Sequence, residues 1–166
     1  MDKWRLRPCP MASLIASLLV IAWLLCQPCL TFFVQGTRIA QVPAYAGLPF
    51  TIRFLHSVQK TPVWENLQVE QDGTLTLLST RYQSFGVGLP FLESEGDFHK
   101  EGDYFVFDHM NRHFPQLTLR TGVGTRLTLS VAGREYRLYE AYPPGTRVDI
   151  VVLPLWRLAF WRPQGR

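Results

Sequence analysis

The sequence predicts an all-β body, a small sandwich or partly open barrel of about eight mostly antiparallel strands, behind one N-terminal transmembrane helix. Three observations carry this. No residue from Pro8 to Val34 is charged. Beyond Val34 the apolar residues fall in short runs broken by Gly, Pro and Asp, as in half-buried strands. No later segment keeps a helical period over a useful length.

Lys3, Arg5 and Arg7 precede the uncharged run, and the next charge is Arg38. As a helix, 11–34 would reach about 36 Å at ~1.5 Å per residue, enough for a ~30 Å hydrocarbon core. Basic flanks stay cytoplasmic. The expected order is therefore a cytoplasmic start at 1–10, an anchor at 11–34, an exported β-domain at 35–153 and a basic aromatic tail at 154–166. The stretch from Gln27 to Val34 has no A-x-A site, and Cys26 follows Leu24-Leu25 rather than a small residue. An uncleaved anchor is expected over a cleaved signal or a lipoprotein. Pro28 should kink the span or mark its end.

Strands are expected at 38–42, 50–58, 63–71, 75–82, 104–107, 117–120, 126–131, 135–139 and 147–153. Asp72-Gly73 and Ala132-Gly133 read as hairpin turns. Residues 84–103 form the one long irregular stretch. In the tail, Trp156, Arg157, Phe160, Trp161 and Arg162 suit either a membrane interface or packing on the domain.

The net charge is +4 and sits mainly at the two ends. With no basic patch interleaved with aromatics, nucleic acid is excluded as a partner. Cys9, Cys26 and Cys29 all precede the exported part, so that part has no disulfide of its own. Cys26-Gln27-Pro28-Cys29 is formally C-x-x-C but lacks a thioredoxin-like context. No cofactor is expected.

The segment from Phe50 to Val69 reads as a hairpin with the loop Gln59-Lys60-Thr61-Pro62. Val58 then faces Val63, Phe54 faces Leu67 and Ile52 faces Val69. His56 and Glu65 form the single polar pair on that face, and a one-residue slip would reverse the faces. A turn at Asp72-Gly73 would add Thr80 beside Glu65 and Leu78 beside Leu67. The pair is either a register-fixing network or a binding or catalytic site at the core rim. Ser57 points to the other face, so a Ser-His triad is not assembled.

His109 and His113 give H-x-x-x-H without a helix or the glutamate of a zinc protease, and His99 or Asp108 would have to complete a metal site. Glu93, Glu95, Asp97, Glu101 and Asp103 read as a solvated acidic loop without calcium-loop spacing. Gly86-Val87-Gly88 lacks the third glycine and helix of a dinucleotide site.

Two blocks carry a family likeness. They are His56-Ser57-Val58 with Thr61-Pro62-Val63 and Glu65, then Arg81-Tyr82-Gln83-Ser84-Phe85-Gly86-Val87-Gly88-Leu89-Pro90. They resemble the bacterial family called domain of unknown function 1850, chiefly over 49–90. The resemblance implies a small protein of the bacterial inner membrane, single-pass, with its domain in the periplasm. It further implies an accessory role beside a TAXI-type tripartite ATP-independent periplasmic transporter for organic anions. The transporter's permease or solute-binding protein would be the partner. It supplies no catalytic residue. The candidate binding residues are His56, Ser57, Lys60, Thr61, Glu65, Arg81, Ser84, Gly86, Gly88 and Pro90. A non-catalytic interaction role is expected. The alternatives are a ligand binder or enzyme using His56 with Glu65 beside the Gly86 loop, and a histidine-based metal binder.

Overall fold

A computed structural model describes residues 10–84 and 96–162. Helix α1, Pro10–Leu25, is followed by strands β1 (Pro28–Val34), β2 (Thr37–Pro43), β3 (Pro49–Leu55), β4 (Pro62–Val69) and β5 (Leu75–Tyr82). Then come β6 (Asp97–Glu101), β7 (Tyr104–Asp108), β8 (Arg112–Phe114), β9 (Leu117–Arg120), β10 (Thr128–Val131) and β11 (Arg134–Arg137). A helical turn α2 (Leu138–Ala141), β12 (Arg147–Pro154) and α3 (Leu155–Leu158) complete the described chain.

Two antiparallel sheets pack face to face. The small sheet runs β2-β1-β12-β9, and the large one β11-β10-β3-β4-β5-β7-β6, with β8 also on β5. Both keep open edges, so the body is a sandwich and not a closed barrel. Leu30, Phe32, Val34, Val148 and Ile150 of the small sheet meet Phe50, Ile52, Val63, Leu67 and Leu129 of the large one in one core. Each such side chain contributes roughly 1.5–3 kcal/mol by leaving water.

The expected helix at 11–34 is corrected. It stops at Leu25, and Pro28–Val34 is a central strand paired with both β2 and β12. Pro28 cannot donate a helical hydrogen bond, and Thr31, Phe32, Phe33 and Val34 favour extended backbone. The run lacks charge because both faces of β1 are covered. Leu30 and Phe32 enter the sandwich core, while Cys29 and Phe33 pack under Leu158 and Trp161. Trp161 stacks on Phe33 with centroids 4.1 Å apart. The tail thus begins as packed structure, leaving Trp156 and Phe160 exposed. Among the described residues no helix is long and apolar enough to cross a membrane.

On the same outer face lies a buried ion pair. Arg147 Nε and Nη2 donate to the Asp149 carboxylate at 2.9–3.0 Å, and the Thr118 hydroxyl donates at 2.7 Å.

Other expectations shift at their ends. The strand expected at 135–139 gives way to a helical turn at Leu138. Of the irregular stretch 84–103, Asp97–Glu101 is strand, and β8 is a further strand not anticipated. The Ala132-Gly133 turn is as expected, with Val131 opposite Arg134 and positive φ at both turn residues.

Pairing orients the sandwich. Pro28 opposite Pro154 marks the end beside α1, and Val34 opposite Val148 lies toward the other end. Arg120 pairs with Arg147 there, and Leu55 N donates to Thr125 O. The 56–61 and 121–127 loops therefore sit at the end distal to α1.

Candidate functional site

The hairpin register differs from expectation, and this decides the site. Ile52 pairs with Glu65, Phe54 with Val63 and Phe50 with Leu67. The slip is even, so the inner face remains the inner face, but His56 and Glu65 are not partners. They lie about 13 Å apart along the strand direction at ~3.3 Å per residue.

The cause is the turn itself. His56 Nδ1 accepts the amides of Val58 at 3.3 Å and Gln59 at 3.2 Å. His56 N donates to Thr61 O at 2.8 Å, and Lys60 N donates to His56 O at 2.9 Å. Residues 56–61 thus form the connection, with Lys60 at φ 56. A four-residue loop lacks these bonds. His56 is buried, while Ser57, Val58, Gln59 and Lys60 are exposed. Its Nδ1 is committed to the backbone, which leaves a structural imidazole rather than one poised beside a carboxylate.

Several other candidates do converge. Thr61 Oγ1 and Ser84 Oγ are 2.7 Å apart, so a hydrogen bond joins the two sequence blocks. Lys60 lies along the neighbouring loop, where a Cβ on Gly124 would stand 3.6 Å from its Nζ. Val58 and Val123 project from these two loops with 75% and 77% exposure. His56, Ser57, Lys60, Thr61 and Ser84 therefore share the distal end. Gly86, Gly88 and Pro90 lie outside the described residues, as do Glu93 and Glu95.

Arg81 is on the outer face of the large sheet. Its guanidinium stands 4.0 Å from the Tyr104 ring centroid and 6.0 Å from that of Trp64. Its Nε is buried and has no hydrogen-bond partner among the described residues.

Glu65 is on the inner face between Ile52 and Thr80. Thr80 is the neighbour expected, but its hydroxyl donates to Met110 Sδ at 3.5 Å. A bulge between Asn66 and Leu67 places Leu77, not Leu78, beside Leu67. Glu65 faces a cavity of about 240 Å³ lined also by Ile52, Phe54, Leu119, Arg120, Thr125 and Leu127. Burial raises its carboxyl pKa, and the positive Arg112 works in the opposite direction.

The histidines are dispersed. His109 Nδ1 is 2.9 Å from Asp97, His113 Nδ1 is 2.8 Å from Thr76 Oγ1, and His99 lies near Glu101 and Asp108. No three metal-type ligands converge among the described residues. Cys26 is exposed and Cys29 is buried beneath the tail, so they are not a redox pair in one active-site turn.

Sequence reasoning missed a groove of about 260 Å³ on the large sheet, lined by Arg53, Phe54, Pro62, Trp64, Arg126 and Tyr139. Arg53 and Trp64 are cross-strand neighbours, a relation that the correct register alone reveals. Arg126 and Tyr139 arrive from distant segments, and no local signal marks them.

A family model described as "Domain of unknown function (DUF1850)" matches residues 50–138, which include the distal turn, Glu65 and Arg81. No curated protein and no solved structure matches the chain.

Proposed function

The chain belongs to the DUF1850 family, and from that premise we propose a membrane-anchored accessory domain with a non-catalytic interaction role. The observation that carries this is α1. Leu14, Leu18, Leu19, Val20, Ile21 and Trp23 are all at least half exposed, on every side of the helix. The Ser17 hydroxyl hides its polarity by donating to Ser13 O at 2.9 Å. A helix apolar all round belongs in lipid or inside protein, and the β-sandwich does not enclose it. At ~1.5 Å per residue the sixteen residues of α1 reach about 24 Å, less than a ~30 Å core. Exposed Trp156 and Phe160 of the neighbouring tail add interfacial apolar surface.

In this reading Lys3, Arg5 and Arg7 hold the N-terminus in the cytoplasm, and the sandwich stands in the periplasm of the inner membrane. The distal loops, with Val58, Lys60 and Val123 outward, face the partner. The family resemblance supports a TAXI-type transporter permease or its solute-binding protein in that role. Alkaline carbonate extraction of membranes carrying the full chain tests the anchor, which requires retention in the pellet. Affinity purification from gently solubilised membranes tests the partner. Recovery of the chain without transporter subunits, under conditions that keep transporters assembled, rejects it.

A second reading rests on Glu65, a carboxyl at a largely apolar cavity that Arg120 and Thr125 also line. It suits a small ligand with a donor head and an apolar body. Glu65→Gln should weaken such binding while leaving membrane retention unchanged, and unchanged ligand binding in the variant rejects this reading.

A further inference from the structure

The groove formed by Arg53, Trp64, Arg126 and Tyr139 does not touch Glu65 or the bilayer-facing helix. We propose that it is a binding site for a small carboxylate with a flat apolar body. Two guanidiniums, from β3 and from the residue just before Leu127, converge on its lining with two aromatic rings. Phe54, Leu55 and Pro62 supply the apolar remainder.

Arg126 is the central residue. Its guanidinium makes no hydrogen bond, ion pair or ring contact among the described residues, its carbonyl accepts the Thr128 hydroxyl at 3.1 Å, and its backbone has φ 48. Left-handed backbone at a long cationic residue costs free energy that Gly or Asn would avoid. The chain nonetheless places a guanidinium here, exposed at the groove. Arg53 is only loosely engaged, with Glu135 at 3.7 Å, whereas Glu135 takes its short contact of 2.7 Å from Arg137. Arg53 therefore retains donors for an anion. Trp64 separates Arg53 from Arg81 along the sheet row, and the Arg81 guanidinium lies toward Trp64 and Tyr104. The local field is positive, since Arg53, Arg81 and Arg126 surround one indole and Glu135 is the acid nearest Arg53.

Planar forked donors match a carboxylate in bidentate geometry. The aromatic and proline walls accept a ring or short chain. A volume of about 260 Å³ is just below the usual range for drug-sized sites, so the ligand is small. The groove lies at the distal end, away from α1, which argues against a lipid headgroup as occupant.

The test uses the full chain in detergent micelles, with benzoate as probe and benzamide as its neutral counterpart. The Trp64 indole N–H resonance, assigned by its loss in Trp64→Phe, is followed by NMR. Benzoate should shift it saturably, and benzamide should bind at least about tenfold more weakly. Arg126→Asn tolerates the same backbone and should weaken benzoate about tenfold, as should Arg53→Gln. Arg134→Gln removes an equal charge elsewhere and should leave binding unchanged. Equal binding of benzamide, an unmoved Trp64 resonance, or undiminished affinity in Arg126→Asn overturns the proposal. Each result stands whether or not α1 is an anchor.

Discussion

The two ends of the sandwich are built by different physics. Beside α1 the chain is held by apolar surface, with Leu158 and Trp161 closing over Cys29, Phe33 and Val151. At the distal end it is held by hydrogen bonds, from two amides to His56 Nδ1 and between Thr61 and Ser84. Apolar cover is non-directional and tolerates approximate fit, which suits an end that meets an apolar helix. Hydrogen-bonded loops set side chains at defined positions, which suits an end that recognises something. The difference teaches where change is tolerated: bulk matters at one end, and single atoms matter at the other.

Substitutions can break this contrast. The largest effect is expected at the apolar end, where Leu158→Ala should lower stability by about 2–4 kcal/mol in chemical denaturation. It should also raise protease access to the tail without altering the 56–61 loop. Next comes His56→Ala. It strands the amides of Val58 and Gln59 and should cost about 1–3 kcal/mol, with hydrogen exchange accelerating at those amides first. His56→Asn, which keeps an acceptor, should recover part of the loss. Thr61→Val removes one hydroxyl bond and should cost about 1 kcal/mol. A loss as large as that of Leu158→Ala would erase the distinction between the ends.

The smallest expected effect belongs to Glu65. Its raised pKa means that the folded chain holds the proton more tightly than the unfolded chain does. Stability should therefore fall as pH rises from the ordinary carboxylate range through the raised folded value, and remain lower above it. Glu65→Gln removes this slope. The variant should gain on the parent at neutral pH and match it in acid, as read by denaturation midpoints across pH. A parent whose stability rises through that window would reverse the assignment.

Most of the strand pattern was legible because period-two alternation and turn residues are local. Leu75–Tyr82 and Leu117–Arg120 fall where the alternation puts them. The Ala132-Gly133 turn was legible for the same reason, since positive φ there suits its glycine. Pro28–Val34 was not, because a strand buried on both faces has the same apolar composition as a membrane helix. The hairpin register was not, because an even slip preserves every face. Nothing in the residue order announces that His56 will spend its Nδ1 on two amides. For the candidate site, Thr61 and Ser84 were within reach of sequence reasoning as parts of two shared blocks. Arg126 and Tyr139 were not.

By itself, the sequence determined the chemistry of the parts: an uncharged apolar start, an alternating β-body, and the family to which its two blocks point. The first two follow from composition and periodicity, and the family from the residues of the blocks themselves; all are properties of neighbouring residues. Only the tertiary structure decided that the apolar run divides into a helix and a core strand. It alone moved the β3 partner of Glu65 from His56 to Ile52, and brought Arg53 and Arg126 to one groove. Those outcomes depend on loop hydrogen bonds and on which distant strands pack, and a linear pattern contains neither.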